Sequence, residues 1–396
     1  MDKVFHIRTF NSPNGGYREV ELDLPATDYE LLDAMEQLRQ EDGKRPYLEF
    51  HATEEYDYLN KRIQETDLFR LNALAKRLAE LDTQGMAAFE GLVCMDIQKG
   101  GETIPIGSLI DYAHSGNCCH VVEDAVTDEE LGRFLVENGF IPEAEDLSDK
   151  ARKLLDYTQI GKTYREAEGG TFTGFGYVER HSELRQVYKT LDFTPKKPAY
   201  TILLEVSKGF FNDPGYDSGK TAQLKLPASP EVLETTLEAV GAWDWREAGW
   251  SCLDCRAPSL SEIISDAEVG IDFLNDLAQR LADMEPKALS TYKALLEATD
   301  CKDLQSAEAL MDSLDNYIFS PQYSSPAEVA KGELSAVLRD EDAATLIPHL
   351  NLYQYGQALI ERCGGTLTAY GLIEREDHQP IQAIENMPSQ GGMEML

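Results

Sequence analysis

The sequence predicts a mixed α+β fold made of two tandem copies of one multi-module unit, and three displaced matches carry that expectation. Leu71-Asn72-Ala73-Leu74-Ala75-Lys76-Arg77-Leu78-Ala79 returns 203 residues later as Leu274-Asn275-Asp276-Leu277-Ala278-Gln279-Arg280-Leu281-Ala282. Gly169-Gly170-Thr171-Phe172-Thr173 and its continuation to Arg180 return 195 residues later, from Gly364-Gly365-Thr366-Leu367-Thr368 to Arg375. Leu22-Asp23-Leu24-Pro25-Ala26 returns after 202 residues as Leu224-Lys225-Leu226-Pro227-Ala228. One order at nearly one displacement predicts copies at 1–183 and 198–376, a linker at 184–197 and a tail at 377–396. The tail is rich in Pro, Gln, Gly and Met, and disorder is expected there. With 396 residues, 42% of them hydrophobic, the chain has material for two to four compact domains.

Taken in order, each copy opens with strands. Val4 to Phe10 and Glu19 to Leu24 flank the turn signal Ser12-Pro13-Asn14-Gly15-Gly16, a hairpin pattern. Thr27 stands three residues before Glu30, a capping box, and Leu31, Ala34, Met35 and Leu38 follow at helical spacing. Leu71, Leu74, Ala75, Leu78 and Leu81 form the apolar stripe of the next helix. Helices are then expected from Asp128 to Asn138 and from Asp149 to Glu166, and Gly169-Gly170 stops the second ahead of a short hairpin. The second copy runs alike. Strands Thr201 to Val206 and Thr221 to Leu226 precede a helix starting at Pro230, with Val232, Leu233, Leu237 and Val240 on one face. The stripe Leu274, Leu277, Ala278, Leu281 and Met284 comes next, then helices at 326–338 and 343–361. Thr194-Pro195-Lys196-Lys197-Pro198 marks the linker.

Charge bounds the partners. Against 36 Lys and Arg stand 71 Asp and Glu, giving a net charge of -35 that repels nucleic acid and anionic membrane and attracts basic protein surfaces. Both halves are acidic, with 38 acids against 23 bases up to Lys197 and 33 against 13 beyond it. Residues 1–20 lack the apolar core of a signal peptide, and no window approaches a membrane helix of ~20 apolar residues. Seven irregularly spaced cysteines fit reduced thiols, so a cytoplasmic location is expected.

Chemistry has no nominee. Cys252-Leu253-Asp254-Cys255 has redox or zinc spacing but lacks the second pair a zinc site needs, and the cluster His114, Cys118, Cys119, His120 offers two adjacent thiols that chelate one ion poorly. The run Gly169 to Gly176 has no Lys-Ser/Thr ending, and no hydrolase, zincin or kinase signature appears. No catalytic residue, cofactor or metal is therefore expected, and the protein is expected not to be an enzyme.

Acids, by contrast, run in clusters. Glu123-Asp124, Asp128-Glu129-Glu130, Glu143, Glu145-Asp146 and Asp149 crowd one stretch, and Asp266, Glu268, Asp272, Asp276, Asp283 and Glu285 another. Like charges three or four apart on a helix repel by a few tenths of a kcal/mol per pair, so a chain that keeps many of them has a use for them. Imitation of a phosphate backbone, with its charge per ~1.7 Å of duplex axis, is one such use. For any single cluster an ordinary solvated face explains the acids as well.

The repeat unit resembles the ArdA antirestriction proteins of conjugative plasmids and transposons. The likeness rests on the LN-x-LA helix followed by Leu81-Asp82 and Ala88-Phe89, on Glu130-Leu131-Gly132-Arg133-Phe134-Leu135-Val136-Glu137-Asn138-Gly139, on the segment Leu154-Leu155-Asp156-Tyr157 to Tyr164, and on the Gly-Gly-Thr-Phe hairpin. It covers most of the chain, twice over. The resemblance implies an elongated row of small α/β modules, dimers or an intramolecular pseudo-dimer, and an acidic DNA mimic that fills the DNA groove of a type I restriction-modification methyltransferase core or another DNA-binding host defence protein. The late helix has few acids here, Asp156 and Glu166 in the first copy and Glu361 in the second, where the family's is often rich in Asp and Tyr. The acids expected to meet the partner are Asp28, Asp33, Glu36, Glu54, Glu55, Asp57, Asp128, Glu129, Glu130 and Glu137 in the first copy, with Glu231, Glu234, Glu238, Asp272, Asp276, Asp283, Asp312 and Asp315 in the second. The alternative is an acidic protein-protein adaptor of a mobile element, without DNA mimicry.

Overall fold

The computed structural model of the chain describes residues 2–11, 18–39, 46–63, 67–144, 147–152, 154–194, 196–209 and 220–383. The expected turn at Ser12 to Gly16, the acids Glu145 and Asp146, Pro195 of the linker and the tail beyond residue 383 lie outside the described residues, as does the side chain of Asp149. Among those described, the fold is mixed α+β, with four antiparallel three-stranded sheets. The chain divides into two compact units.

The first unit comprises 2–11, 19–26 and 46–194. Strand β1 (Phe5–Phe10) is the middle of the order β2-β1-β3, between β2 (Glu19–Leu24) and β3 (Tyr47–Ala52). Phe5, Ile7 and Thr9 turn inward while His6 and Arg8 face water, the period of two that buries one face of a sheet. Helix α1 (Asp28–Leu38) follows β2 in the chain but belongs to the second unit. Then come α2 (Leu68–Leu78), α3 (Thr83–Gln98) and α4 (Ile106–Ala113). Asp67 caps α2 by accepting from the N–H groups of Phe69 and Arg70, and the stripe Leu71, Leu74, Ala75 and Leu78 is buried as its spacing dictates. Asn72 on α2 accepts from Ala26 N at 2.7 Å and donates to Ala26 O at 3.1 Å, fixing the exit of β2.

Strand β4 (Cys119–Val122), helices α5 (Asp128–Glu137), α6 (Asp149–Arg152) and α7 (Tyr157–Glu168), and the hairpin β5 (Thr171–Thr173) and β6 (Gly176–Arg180) complete the unit, with sheet order β4-β6-β5. The helix expected at 149–166 is two helices, because Asp156 accepts from Gln159 N at 3.0 Å and caps a fresh start. Helices α5 and α7 meet backbone to backbone at glycines: a Cβ at Gly161 would lie 1.9 Å from Asp128 O, and one at Gly132 1.9 Å from Tyr157 O. The stretch read as a linker is held on α4, whose Asp111 accepts from the N–H groups of Val187 and Tyr188, both at 2.7 Å.

The second unit comprises 18, 27–39 and 196–383. Its first sheet has order β8-β7-β9, from β7 (Ile202–Lys208), β8 (Thr221–Leu226) and β9 (Ala248–Cys255), with α8 (Pro230–Val240) between β8 and β9. Helices α9 (Ser261–Asp266), α10 (Ile271–Asp283), α11 (Pro286–Ala298) and α12 (Leu304–Asp312) follow. Ile202, Leu204, Val206, Leu224, Leu274, Leu277, Leu281, Tyr292 and Leu295 are buried in its core. Asn275 of α10 holds Ala228 as Asn72 holds Ala26, at 2.7 and 3.2 Å. The second sheet, β10-β12-β11, is built from β10 (Tyr317–Ser320), β11 (Thr366–Thr368) and β12 (Gly371–Arg375), around α13 (Pro326–Val337), α14 (Asp340–Leu346) and α15 (Leu352–Cys363). The helix expected at 343–361 is again divided, here by Pro348 and by the Asn351 cap on Gln354 N.

Candidate acidic interface

Helix α1 begins with the capping box its sequence announced: Thr27 Oγ1 accepts from Glu30 N at 3.2 Å, and Thr27 N donates to Glu30 Oε2 at 2.7 Å. Its next acids turn inward. Asp33 is 6% exposed and Glu36 half-buried, and both meet Lys293 of α11, whose Nζ donates to Asp33 Oδ1 at 2.6 Å and to Glu36 Oε2 at 2.9 Å. Tyr370 OH donates to Asp33 Oδ2 at 2.9 Å, Gln37 Nε2 donates to the same oxygen at 2.8 Å, and Ser290 donates to Glu36. Burial alone would lower the Lys293 pKa, but the two carboxylates outweigh it and raise the value. Burial, then the charge of Asp33, drives the Tyr370 hydroxyl upward. Asp33 thus works inside the second unit rather than on an outer acidic row, because an ion pair this dry is held by its partners and not by solvent. Asp28 is half-buried.

The remaining nominated acids face water except Asp128, which is half-buried. Glu54, Glu55 and Asp57 stand on a short 3-10 helix, Glu54–Leu59, with Tyr56 and Leu59 turned inward. On α5 three of the four acids already have partners. Arg165 of α7 grips Asp128 through two bonds, 2.8 and 3.1 Å, and that hydrogen bonding lowers the Asp128 pKa. Glu129 pairs with Arg133 at 3.0 Å, and Glu130 accepts from Thr127 and Val126 N at the helix start. Glu137 is exposed at the far end. Asp312 is joined to Arg280 at 2.5 Å, while Asp315 is exposed.

Helices α8 and α10 differ. Glu231, Glu234 and Glu238 lie three and four apart on α8, and Asp272 and Asp276 lie four apart on α10 with Asp283 seven further on. All six are exposed, and among the described residues none is in an ion pair; Asp283 accepts from Gln279. At ~1.5 Å rise per residue the α8 acids stand about 5 Å apart along the axis, against ~3.4 Å per phosphate on one DNA strand. One helix therefore carries less charge per length than one strand, and a phosphate-like face needs both. Asn275, between Asp272 and Asp276, ties α10 to Ala228 just ahead of α8, so the two rows are anchored to one point.

Further acids gather from two separate segments. A cleft of about 650 Å³ beside α9 and α12 is lined by Glu262, Asp266, Glu268, Asp300 and Asp303, with Lys302 bound to Asp300 at 2.9 Å. Asp266 and Glu268 stood in a visible cluster, with Glu262 one helical turn before Asp266, whereas Asp300 and Asp303 come from a segment more than thirty residues on. Cys252 and Cys255, the pair with metal-like spacing, lie on β9; burial raises both thiols, Cys252 to about 11. Among the described residues no three His, Cys, Asp or Glu side chains converge as metal ligands would, and no helix is long and apolar enough to cross a membrane.

Compared with known proteins, the sequence matches no family model and no curated relative.

Proposed function

We propose that the chain is an acidic DNA mimic that blocks the DNA-binding groove of a type I restriction-modification methyltransferase core, or of another DNA-binding defence protein, as the likeness to ArdA implies. The observation that carries the reading is the pair of exposed carboxylate rows on α8 and α10, which have no ion-pair partner among the described residues. Water and counterions neutralise such rows in the free protein, and a basic groove releases those ions on binding.

We also read the chain as two tandem copies. Support comes from equal sheet orders, β2-β1-β3 with β8-β7-β9 and β4-β6-β5 with β10-β12-β11. The Asn72 and Asn275 clasps agree, as do the Thr173 bond to Gly176 O at 2.9 Å and the Thr368 bond to Gly371 O at 2.8 Å.

The test is collective neutralisation. Converting Glu231, Glu234 and Glu238 to Gln and Asp272, Asp276 and Asp283 to Asn removes six charges, each worth about 0.2–1 kcal/mol when screened. Inhibition of the methyltransferase core is expected to fall at least about tenfold, with Asp272→Asn alone nearly silent. Undiminished inhibition by the sextuple variant would remove the proposal's support. Simultaneous binding of duplex DNA and this protein to the core would favour the adaptor.

A further inference from the structure

Between α8 and β9 the chain makes a turn that holds one indole in water. Trp243 is 89% exposed, more than any other large apolar side chain described. Its backbone is nevertheless fixed: Trp243 N donates to Glu247 Oε2 at 3.2 Å, Arg246 N to Asp244 Oδ1 at 2.8 Å, and Gly209 N to Glu247 O at 2.7 Å. Lys208 Nζ donates to Gly241 O at 3.1 Å, where Gly241, at φ 73°, ends α8 in the left-handed region that favours glycine. Trp245, two residues on, packs edge-on against Trp250 with ring centroids 6.4 Å apart. The turn is anchored, and Trp243 is the one tryptophan it leaves outside.

The surroundings select what would cover that ring. Glu238 on the last turn of α8, Asp244 and Glu247 are exposed beside it in the chain, with Arg246 the one exposed base among them, so acids outnumber bases around the ring three to one. An indole face attracts cations, tryptophan most strongly of the aromatic side chains. Among the described residues none of the chain's own lysines or arginines lies over it. Nucleic acid and anionic lipid would have to approach through the acids, whereas a basic protein surface is drawn in by them.

We infer that Trp243 is the aromatic anchor at the end of the α8 acid row, receiving an arginine or lysine side chain of a basic protein partner on its ring. The inference rests on the reading of that row as a face for a basic partner. It adds an element that charge alone does not supply: exposed tryptophans that become covered dominate the energetics of many interfaces, whereas rim charges mainly steer.

The test uses the full chain and a nona-arginine peptide as the probe. Trp243→Ala is expected to weaken peptide binding about three- to fivefold, with Trp243→Phe between the two, and the difference is expected to persist at ~0.5 M salt, where Coulomb attraction is largely screened. Because Trp243 is 89% exposed, thermal midpoint and circular dichroism should be unchanged in both variants. Equal affinities of Trp243→Ala and the parent would overturn the anchor, as would a Trp243 ring that stays equally open to acrylamide quenching in the saturated complex. Failure of the chain to inhibit a methyltransferase core, with the Trp243 dependence of peptide binding intact, would instead remove the proposed target and leave the anchor standing.

Discussion

Lys293 illustrates how one side chain decides what its neighbours do. With 4% of its side chain exposed, it neutralises Asp33 and Glu36 together, and Lys293→Met would leave two facing carboxylates without a cation. Breaking a buried pair in this way costs about 3–5 kcal/mol, which urea unfolding of the variant measures directly. The pH dependence has a definite sign. Because the folded Lys293 pKa is raised, its contribution is fully present below the unfolded value of about 10.4 and is lost as pH rises through the folded value. The stability gap between the parent and Lys293→Met should therefore be widest below that unfolded value and narrow as pH rises through the folded one. For Asp128 the sign reverses: its pKa is lowered by Arg165, so its contribution holds above about 3.9 and fades as pH falls through the folded value. The Thr27 capping box could be read from four consecutive residues. The fate of Asp33 could not, because its partner lies 260 positions away and an acid at helical spacing looks the same whether it meets water or a lysine.

Helices meet in this protein where glycine lets them. A methyl at Gly161 would sit 1.9 Å from the carbonyl oxygen of Asp128, and one at Gly356 would sit 1.7 Å from that of Pro326, both against backbone that cannot swing aside. Gly161→Ala should therefore force α5 and α7 apart at a cost of about 3 kcal/mol, read as a fall in unfolding free energy. Gly169→Ala, with nothing within 4 Å of the added carbon, should cost less, chiefly through its left-handed φ of 71°. Apolar stripes made α2 and α10 legible, and Asn72 and Asn275, polar residues inside those stripes, turned out to clasp the strand exits. Two expectations failed for local reasons. The late helices restart at the Asp156 and Asn351 caps, and Val232 faces water while Thr236, four residues on, is buried with its hydroxyl satisfied by Val232 O at 2.9 Å. Strand β9 went unread because two tryptophans and a charged turn precede it, and its partner β7 lies some forty residues back.

A net charge of -35 acts on the molecule as a whole. Self-repulsion among exposed acids is screened by salt, so the thermal midpoint should rise between ~10 mM and ~0.5 M NaCl, which differential scanning fluorimetry can follow. Composition made that surplus plain. It could not say which acids are committed internally, and the division between Asp33 and Asp128, which hold helices in place, and the open rows of α8 and α10 emerged only once the units were folded. The most direct measurement of the central claim is the affinity of the full chain for a type I methyltransferase core as salt is raised, with duplex DNA as competitor. A face that replaces 6 to 10 phosphate contacts should lose about a thousandfold or more between ~50 and ~200 mM salt, and DNA should displace it completely. Affinity that holds constant over that range, or a core that carries DNA and this protein together, would contradict it.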